Sequence, residues 1–382
     1  MEQIRFFSAD SHVNEPPDVW ERIPKNLRDR GPHFVQDPPG KKGLYMVFEG
    51  REPDPVGMTF TAGVQARGGS IRDVIENFKW EDFPGPWDPV ARLGDMDLDG
   101  VKMEVLYPSM TRNFYTLNEK DADLQKAGLK AYNDWIFEYC STAPDRLLPL
   151  CLLSGLDVDW SVGEMERCAK LGHKGVVIPS GLPEEMSYAD PEFERLWAAS
   201  QDMDLPIHIH VNILQTGVDR MAARLKKISK VQQGQNALRR AISEPLRLLT
   251  EFTFGGVLEN YPQLRLVFAE YDLSWVHPFL NSMDSSVARA RSESPDSSTI
   301  AMLPSETIRR QVYITFQDDR AGVLAAEALG MADNCMWASD YPHGGATWPH
   351  SRETIKSQFA GISDAMERKL TWENAAKFYG VA

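Results

Sequence analysis

A (β/α)8 barrel is the fold class this sequence predicts, and three observations predict it. Eight short apolar runs are spread along the 382 residues. Helical patterns lie between most of them. Polar side chains able to bind a metal stand at the ends of the first, fifth, sixth and eighth runs. Only a closed barrel brings its first and last strands together, so this distribution favours closure over the competing fold, a doubly wound open sheet.

The runs are 5–10, 101–107, 147–153, 175–179, 206–211, 264–270, 312–316 and 335–340. Each is continuous rather than alternating, as expected of parallel strands buried on both faces. Between them, 121–141 reads as a helix with Asp121 as N-cap and Leu124, Leu129, Trp135 and Ile136 at apolar positions. Stretch 190–203 places Phe193, Leu196 and Trp197 on one helical face. Stretches 154–171 and 320–329 read similarly, and 221–258 is long enough for two helices. The whole chain, 1–382, forms a single barrel domain in this reading. Segment 32–89 does not fit the barrel pattern: it is rich in Pro and Gly, and reads as an insertion after strand one that lies as a lid over the barrel mouth.

Hydrophobic residues make up 42% and charged residues 25%, values of a soluble globular protein. The net charge of −14 argues against nucleic acid or an anionic membrane as partner. The four cysteines form no C-x-x-C pair, which argues against a zinc finger and for free thiols in a reducing cytosol. The N-terminus carries no apolar signal-peptide core, and no apolar run is long enough to span a membrane. The expected location is cytoplasmic.

The chemistry concentrates at strand ends. Asp10 and His12 are two apart, so they project from one face of the first strand. His210 ends the fifth run, Glu270 the sixth and Asp340 the eighth. In a (β/α)8 barrel these ends converge on one mouth. Imidazole and carboxylate donors without thiolate suit one divalent ion: Zn²⁺ first, with Mn²⁺ and Fe²⁺ as alternatives. No organic cofactor is expected. Such an ion would lower the pKa of a bound water to about 7. His208 shares His210's face one layer deeper and reads as a packed, hydrogen-bonded residue. Arg320, Arg67 in the insertion and Trp275 are the candidates for contacting a small-molecule substrate. Tyr107 and Trp337 are further aromatic candidates.

In order and spacing, Asp10-Ser11-His12-Val13-Asn14-Glu15-Pro16, the run from Arg92 to Val101, Gly172-His173-Lys174-Gly175-Val176, Pro206 to His210, Phe268-Ala269-Glu270 and Ser339-Asp340-Tyr341-Pro342-His343 are distinctive. They resemble the amidohydrolase-related family that contains the aminocarboxymuconate-semialdehyde decarboxylase-like enzymes. The resemblance covers nearly the whole chain. It implies a barrel with one divalent metal, commonly in a homodimer. Asp10 and His12 match the first-strand ligand pair and His210 the fifth-strand ligand. Asp340 matches the eighth-strand carboxylate, a ligand that also handles a proton. Family decarboxylases usually carry His where this chain has Glu270, leaving Glu270 as an extra ligand or a general acid/base. That difference makes a hydrolase of a small cyclic or aromatic acid-like substrate the first expectation. Asp340, Glu270 and His343 are its catalytic candidates. The alternative is a non-oxidative decarboxylase of an aromatic or dienoic carboxylate.

Overall fold

The computed structural model of the protein describes residues 6–48, 52–64, 68–117, 121–183, 185–213, 230–294 and 300–381. Its eight barrel strands are β1 (Phe6–Val13), β2 (Val101–Pro108), β3 (Leu147–Pro149, continued as Cys151–Leu152), β4 (Val176–Ile178), β5 (Ile207–His210), β6 (Leu266–Ala269), β7 (Val312–Phe316) and β8 (Cys335–Trp337). Each pairs in parallel with the next: Phe6 opposite Val101, Glu104 opposite Leu147, Cys151 opposite Val176, Val176 opposite Ile207, Ile207 opposite Leu266, Leu266 opposite Val312 and Ile314 opposite Cys335. β3 changes partner in its middle. Its first half pairs with β2 and its second with β4, and Pro149, which has no N–H to donate, stands at the break.

The barrel closes between β8 and β1. Asp340 N donates to Asp10 O at 3.0 Å and His12 N to Tyr341 O at 2.6 Å. A buried hydroxyl cluster of Ser8, Ser11 and Ser339 stitches the same seam, with Ser339 N donating to Ser8 Oγ at 2.8 Å. All eight residues of β1 are buried.

The crossover helices follow capping chemistry written in the sequence. Helix α1 (Pro89–Asp99) starts at Asp88, whose carboxylate accepts from the N–H groups of Val90 and Ala91, and stops at Gly100 at φ 81°. Helix α2 (Ala122–Cys140) starts where expected, but Asp121 does not cap it; its carboxylate pairs with Arg30 instead. Helix α3 (Val158–Leu171) is capped by Asp157 and ends at Gly172. A 25-residue helix (Lys230–Phe254) and a short one (Val257–Asn260) occupy the described part of 221–258; residues 221–229 lie outside the described residues.

The insertion contains a three-stranded antiparallel sheet, His33–Gln36, Leu44–Val47 and Asp54–Pro55. Behind it Phe60, Phe78, Trp80 and Phe83 pack as an aromatic cluster. It meets the barrel on the rim that carries the strand ends: Asn14 Nδ2 donates to Thr59 O at 3.2 Å, and Ala62 N to Pro342 O at 2.9 Å.

Candidate metal centre

The donors converge as the barrel requires. Ligand atoms of Asp10, His12 and His210 all lie within 4.8 Å of one another, and so do those of His12, Asp340 and His343. His12 Nε2 is 3.4 Å from Asp10 Oδ1 and 3.4 Å from Asp340 Oδ1. His210 Nε2 is 3.5 Å from Asp10 Oδ2 and 3.2 Å from Glu270 Oε2. Asp10, His12, His210 and Asp340 are buried.

The hydrogen bonds around the two rings fix their polarity. His12 Nδ1 faces Pro108 O at 3.1 Å and His210 Nδ1 faces Val211 O at 2.8 Å. A carbonyl oxygen only accepts, so each Nδ1 carries a proton and each ring turns its Nε2, the nitrogen left to act as a ligand, towards the carboxylates. Those two Nε2 atoms are 3.1 Å apart. Both oxygens of Asp10 are buried without a hydrogen-bond donor. Lone pairs and anionic oxygens crowded this way repel one another unless a positive charge lies among them. The residues therefore fit a divalent ion.

The titration behaviour agrees. Burial, reinforced by His343 and His210, holds His12 well below its ordinary value. Burial also opposes charging of His210, but Asp10 and Glu270 outweigh it and push it up to about 9. Burial and the charge of Asp10 push Asp340 up to about 8. Burial, Asp340 and Asp10 push Glu270 up to about 8 against the pull of His210. These carboxylates compete for positive charge, which is the condition a bound cation relieves.

Backbone geometry aims two of them. Glu270 sits at φ 61° and Asp340 at φ 55°, the left-handed region that side-chain-bearing residues seldom adopt. Glu270 directly follows β6 and Asp340 stands three residues past the end of β8, and the turn aims each carboxylate at the mouth; Glu270 N is fixed by Thr315 Oγ1 at 2.9 Å. His343 reaches back onto this cluster. Its Nδ1 is 2.9 Å from Asp340 Oδ1, its Nε2 is 3.1 Å from Ser109 Oγ, and its ring lies 3.9 Å from that of His12. Burial holds it down to about 4.

The layer beneath is polar and ordered. Tyr107 packs against both His12 and His210 and shares a 2.6 Å hydrogen bond with His208 Nδ1. Arg92, on α1, donates to His12 O at 2.6 Å and to Glu104 Oε2 at 2.6 Å, with its guanidinium over the Tyr341 ring. Glu15 accepts from Met110 N and Thr111 N, both at 2.8 Å, and from Thr111 Oγ1.

The expected substrate contacts fare differently. Arg320 commits its guanidinium to backbone carbonyls, Gln358 O at 2.7 Å and Ala360 O at 2.8 Å, and so anchors a neighbouring helix. Trp275 is buried, donates to Asp272 O and packs on Phe268, which makes it a core residue. Arg67 lies outside the described residues. A cavity of about 220 Å³ opens between the insertion and Tyr341, Pro342 and Trp348, but none of the metal-type donors lines it. Sequence reasoning missed Ser109 and Arg112, which follow the end of β2. The same strand-end rule that singled out Asp340 and His343 would have found both.

A barrel with a mononuclear metal-type donor set at its C-terminal mouth defines a class of enzyme rather than one activity. The Amidohydrolase family model matches residues 9–381, and the chain belongs to that family. It is an enzyme of the amidohydrolase superfamily. An amidohydrolase of Mycobacterium avium subsp. paratuberculosis K-10 superposes with TM-score 0.79 at 21% identity, covering 99% of this chain and 98% of that one. A 2,6-dihydroxybenzoate decarboxylase from Rhizobium superposes with TM-score 0.63 at 16% identity, over 99% of both chains. A 5-carboxyvanillate decarboxylase variant of Novosphingobium aromaticivorans, with bound manganese and 3-methoxy-4-hydroxy-5-nitrobenzoic acid, gives 0.68 at 19% identity, over 99% of this chain and 98% of that one. In sequence, gamma-resorcylate decarboxylase of Rhizobium radiobacter is 29% identical over 85 residues, 20% of this chain and 26% of that protein. The chain thus aligns with about a quarter of that relative's length.

Proposed function

We propose that the protein is a metal-dependent, non-oxidative decarboxylase of an aromatic carboxylate. The observation that carries this reading is the convergence of Asp10, His12, His210 and Asp340, with two imidazole Nε2 atoms 3.1 Å apart, at the barrel mouth. The decarboxylases among its structural relatives, one with manganese and a nitrobenzoic acid bound, support it over the hydrolase expectation. Asp10, His12, His210 and Asp340 would hold one divalent ion, Mn²⁺ or Zn²⁺. When bound, it supplies Lewis-acid charge for a substrate carboxylate and an adjacent oxygen. Glu270 gives its carboxyl proton to the ring carbon that bears the carboxylate. The carbon–carboxyl bond then breaks, its electron pair returns to the ring, carbon dioxide leaves, and Glu270 regains a proton from solvent. His343, held between Asp340 and Ser109, orients the Asp340 carboxylate. A homodimer in the cytoplasm, with segment 32–89 covering the mouth, belongs to the same reading.

Glu270 also favours the second reading, hydrolysis, because it stands where family decarboxylases carry an imidazole. One assay separates them. Metal-loaded protein is incubated anaerobically, without organic cofactor, with a panel of hydroxybenzoates and a panel of aryl lactones and amides. Carbon dioxide released in step with the corresponding phenol supports decarboxylation. Turnover of the lactones or amides alone, with no carbon dioxide from any acid, returns the assignment to hydrolysis.

A further inference from the structure

The segment that leaves β2 is built into the metal centre from both sides. Pro108 O meets His12 Nδ1, Ser109 Oγ meets His343 Nε2, and Met110 and Thr111 are clamped through three donors onto the buried carboxylate of Glu15. A carboxylate buried at that depth, with its pKa raised by burial, is costly to keep, and here it fixes a single short stretch of loop. The next residue is Arg112. It is half-buried, and its guanidinium makes no hydrogen bond and no ion pair among the described residues. Other half-buried arginines among the described residues are committed: Arg146 to Asp97, Arg167 to Glu164 and Asp134, Arg265 to Asp204. Arg112 is close enough to depress the protonation of both His12 and His343 by its charge. A half-buried guanidinium beside these donors, with no partner among the described residues, is set up for an anion that arrives from outside.

We propose that Arg112 is the specificity residue that reads the substrate's carboxylate, positioned at the mouth by the Glu15 clamp on Met110 and Thr111. The inference rests on the decarboxylase reading above and adds the group that selects an acid over the matching phenol. A guanidinium presents two parallel N–H donors to the two carboxylate oxygens. Because carbon dioxide leaves uncharged, that pairing stabilises the bound acid more than the transition state. Its loss therefore raises KM and leaves kcat equal or higher.

The test uses full-length, Mn²⁺-loaded protein and calorimetric titration with salicylate, benzoate and phenol. Wild type is expected to bind salicylate and benzoate more tightly than phenol. Arg112→Gln is expected to weaken both acids by roughly ten- to hundred-fold while leaving phenol binding, metal stoichiometry and melting temperature unchanged. Arg112→Lys should fall between the two, since the charge stays and the fork is lost. With any aryl acid that turns over, the variant should raise KM and spare kcat. Acid binding unchanged in Arg112→Gln overturns the assignment of Arg112 and leaves the decarboxylase reading standing. No preference for acid over phenol in wild type overturns both.

Discussion

Replacing Arg92 with Met removes a charge that the barrel has buried and tied to β1, the strand that carries Asp10 and His12. Arg92 is 0% exposed and Glu104 2% exposed. The guanidinium gives one N–H to Glu104 Oε2 and another to His12 O, both at 2.6 Å. Without it, the buried Glu104 carboxylate keeps, among the described residues, only Ser11 Oγ, at 3.2 Å, as a donor. An uncompensated buried charge of this kind costs about 3–5 kcal/mol. The same change frees the carbonyl of His12, whose ring is a candidate metal ligand. Supports of this sort typically matter by about 10- to 100-fold in metal affinity. Urea unfolding of the metal-free protein isolates the first effect, and metal titration of the folded variant measures the second. The double variant Arg92→Met/Glu104→Leu should recover more than half of the lost stability, because no lone charge is left behind. A single variant within about 1 kcal/mol of wild type, or a double variant no better than the single, would refute the reasoning.

Three other substitutions probe separate parts of the account. A Cβ at Gly175 would fall 2.5 Å from His208 Nε2, so Gly175→Ala should displace the ring that holds Tyr107 and lower stability by about 1–3 kcal/mol in chemical denaturation. Glu15→Ala strands three donors of the β2 loop and should destabilise by about 2–4 kcal/mol; equal stability would show the clamp to be dispensable. His173 is held down to about 4, from an ordinary 6.5, because burial outweighs its two carbonyl neighbours. Its folded pKa lies below its unfolded one. The stability it contributes is therefore complete above pH 6.5 and lost as pH falls from there towards 4. At pH 5 the loss is about 2 kcal/mol, so unfolding curves of His173→Gln should show that much less acid sensitivity than wild type. Identical pH profiles would contradict this.

The barrel and its donors were legible because both follow from short-range rules. Continuous apolar runs read as strands buried on two faces, and β1 is buried along its whole length. A side chain at the end of such a run must lie at the mouth, which located Asp10, His12, His210, Glu270 and Asp340 without coordinates. What could not be read was pairing over distance. Asp121 has the chemistry of an N-cap, but Arg30, far away in sequence, takes its carboxylate. Arg320 follows a strand end closely enough to suggest a substrate role, yet the carbonyls of Gln358 and Ala360, at the end of the helix Ser351–Gln358, take its guanidinium. Trp275 has an aromatic surface suited to a pocket and spends it on Phe268. The Arg92–Glu104 pair joins a helix to a strand, and nothing local marks either residue as buried. The positive φ angles of Glu270 and Asp340 were equally silent, since neither residue type demands that conformation.

The central claim is that two imidazoles and the Asp10 and Asp340 carboxylates surround a divalent ion. Elemental mass spectrometry of protein purified without chelators tests it most directly, on wild type beside His12→Ala, Asp10→Asn and Glu270→Ala. The account predicts one equivalent of metal in wild type, lost in the His12 and Asp10 variants and kept in Glu270→Ala, where only the proton donor is gone. Wild-type protein that holds no metal even after loading with Zn²⁺ or Mn²⁺ would contradict it.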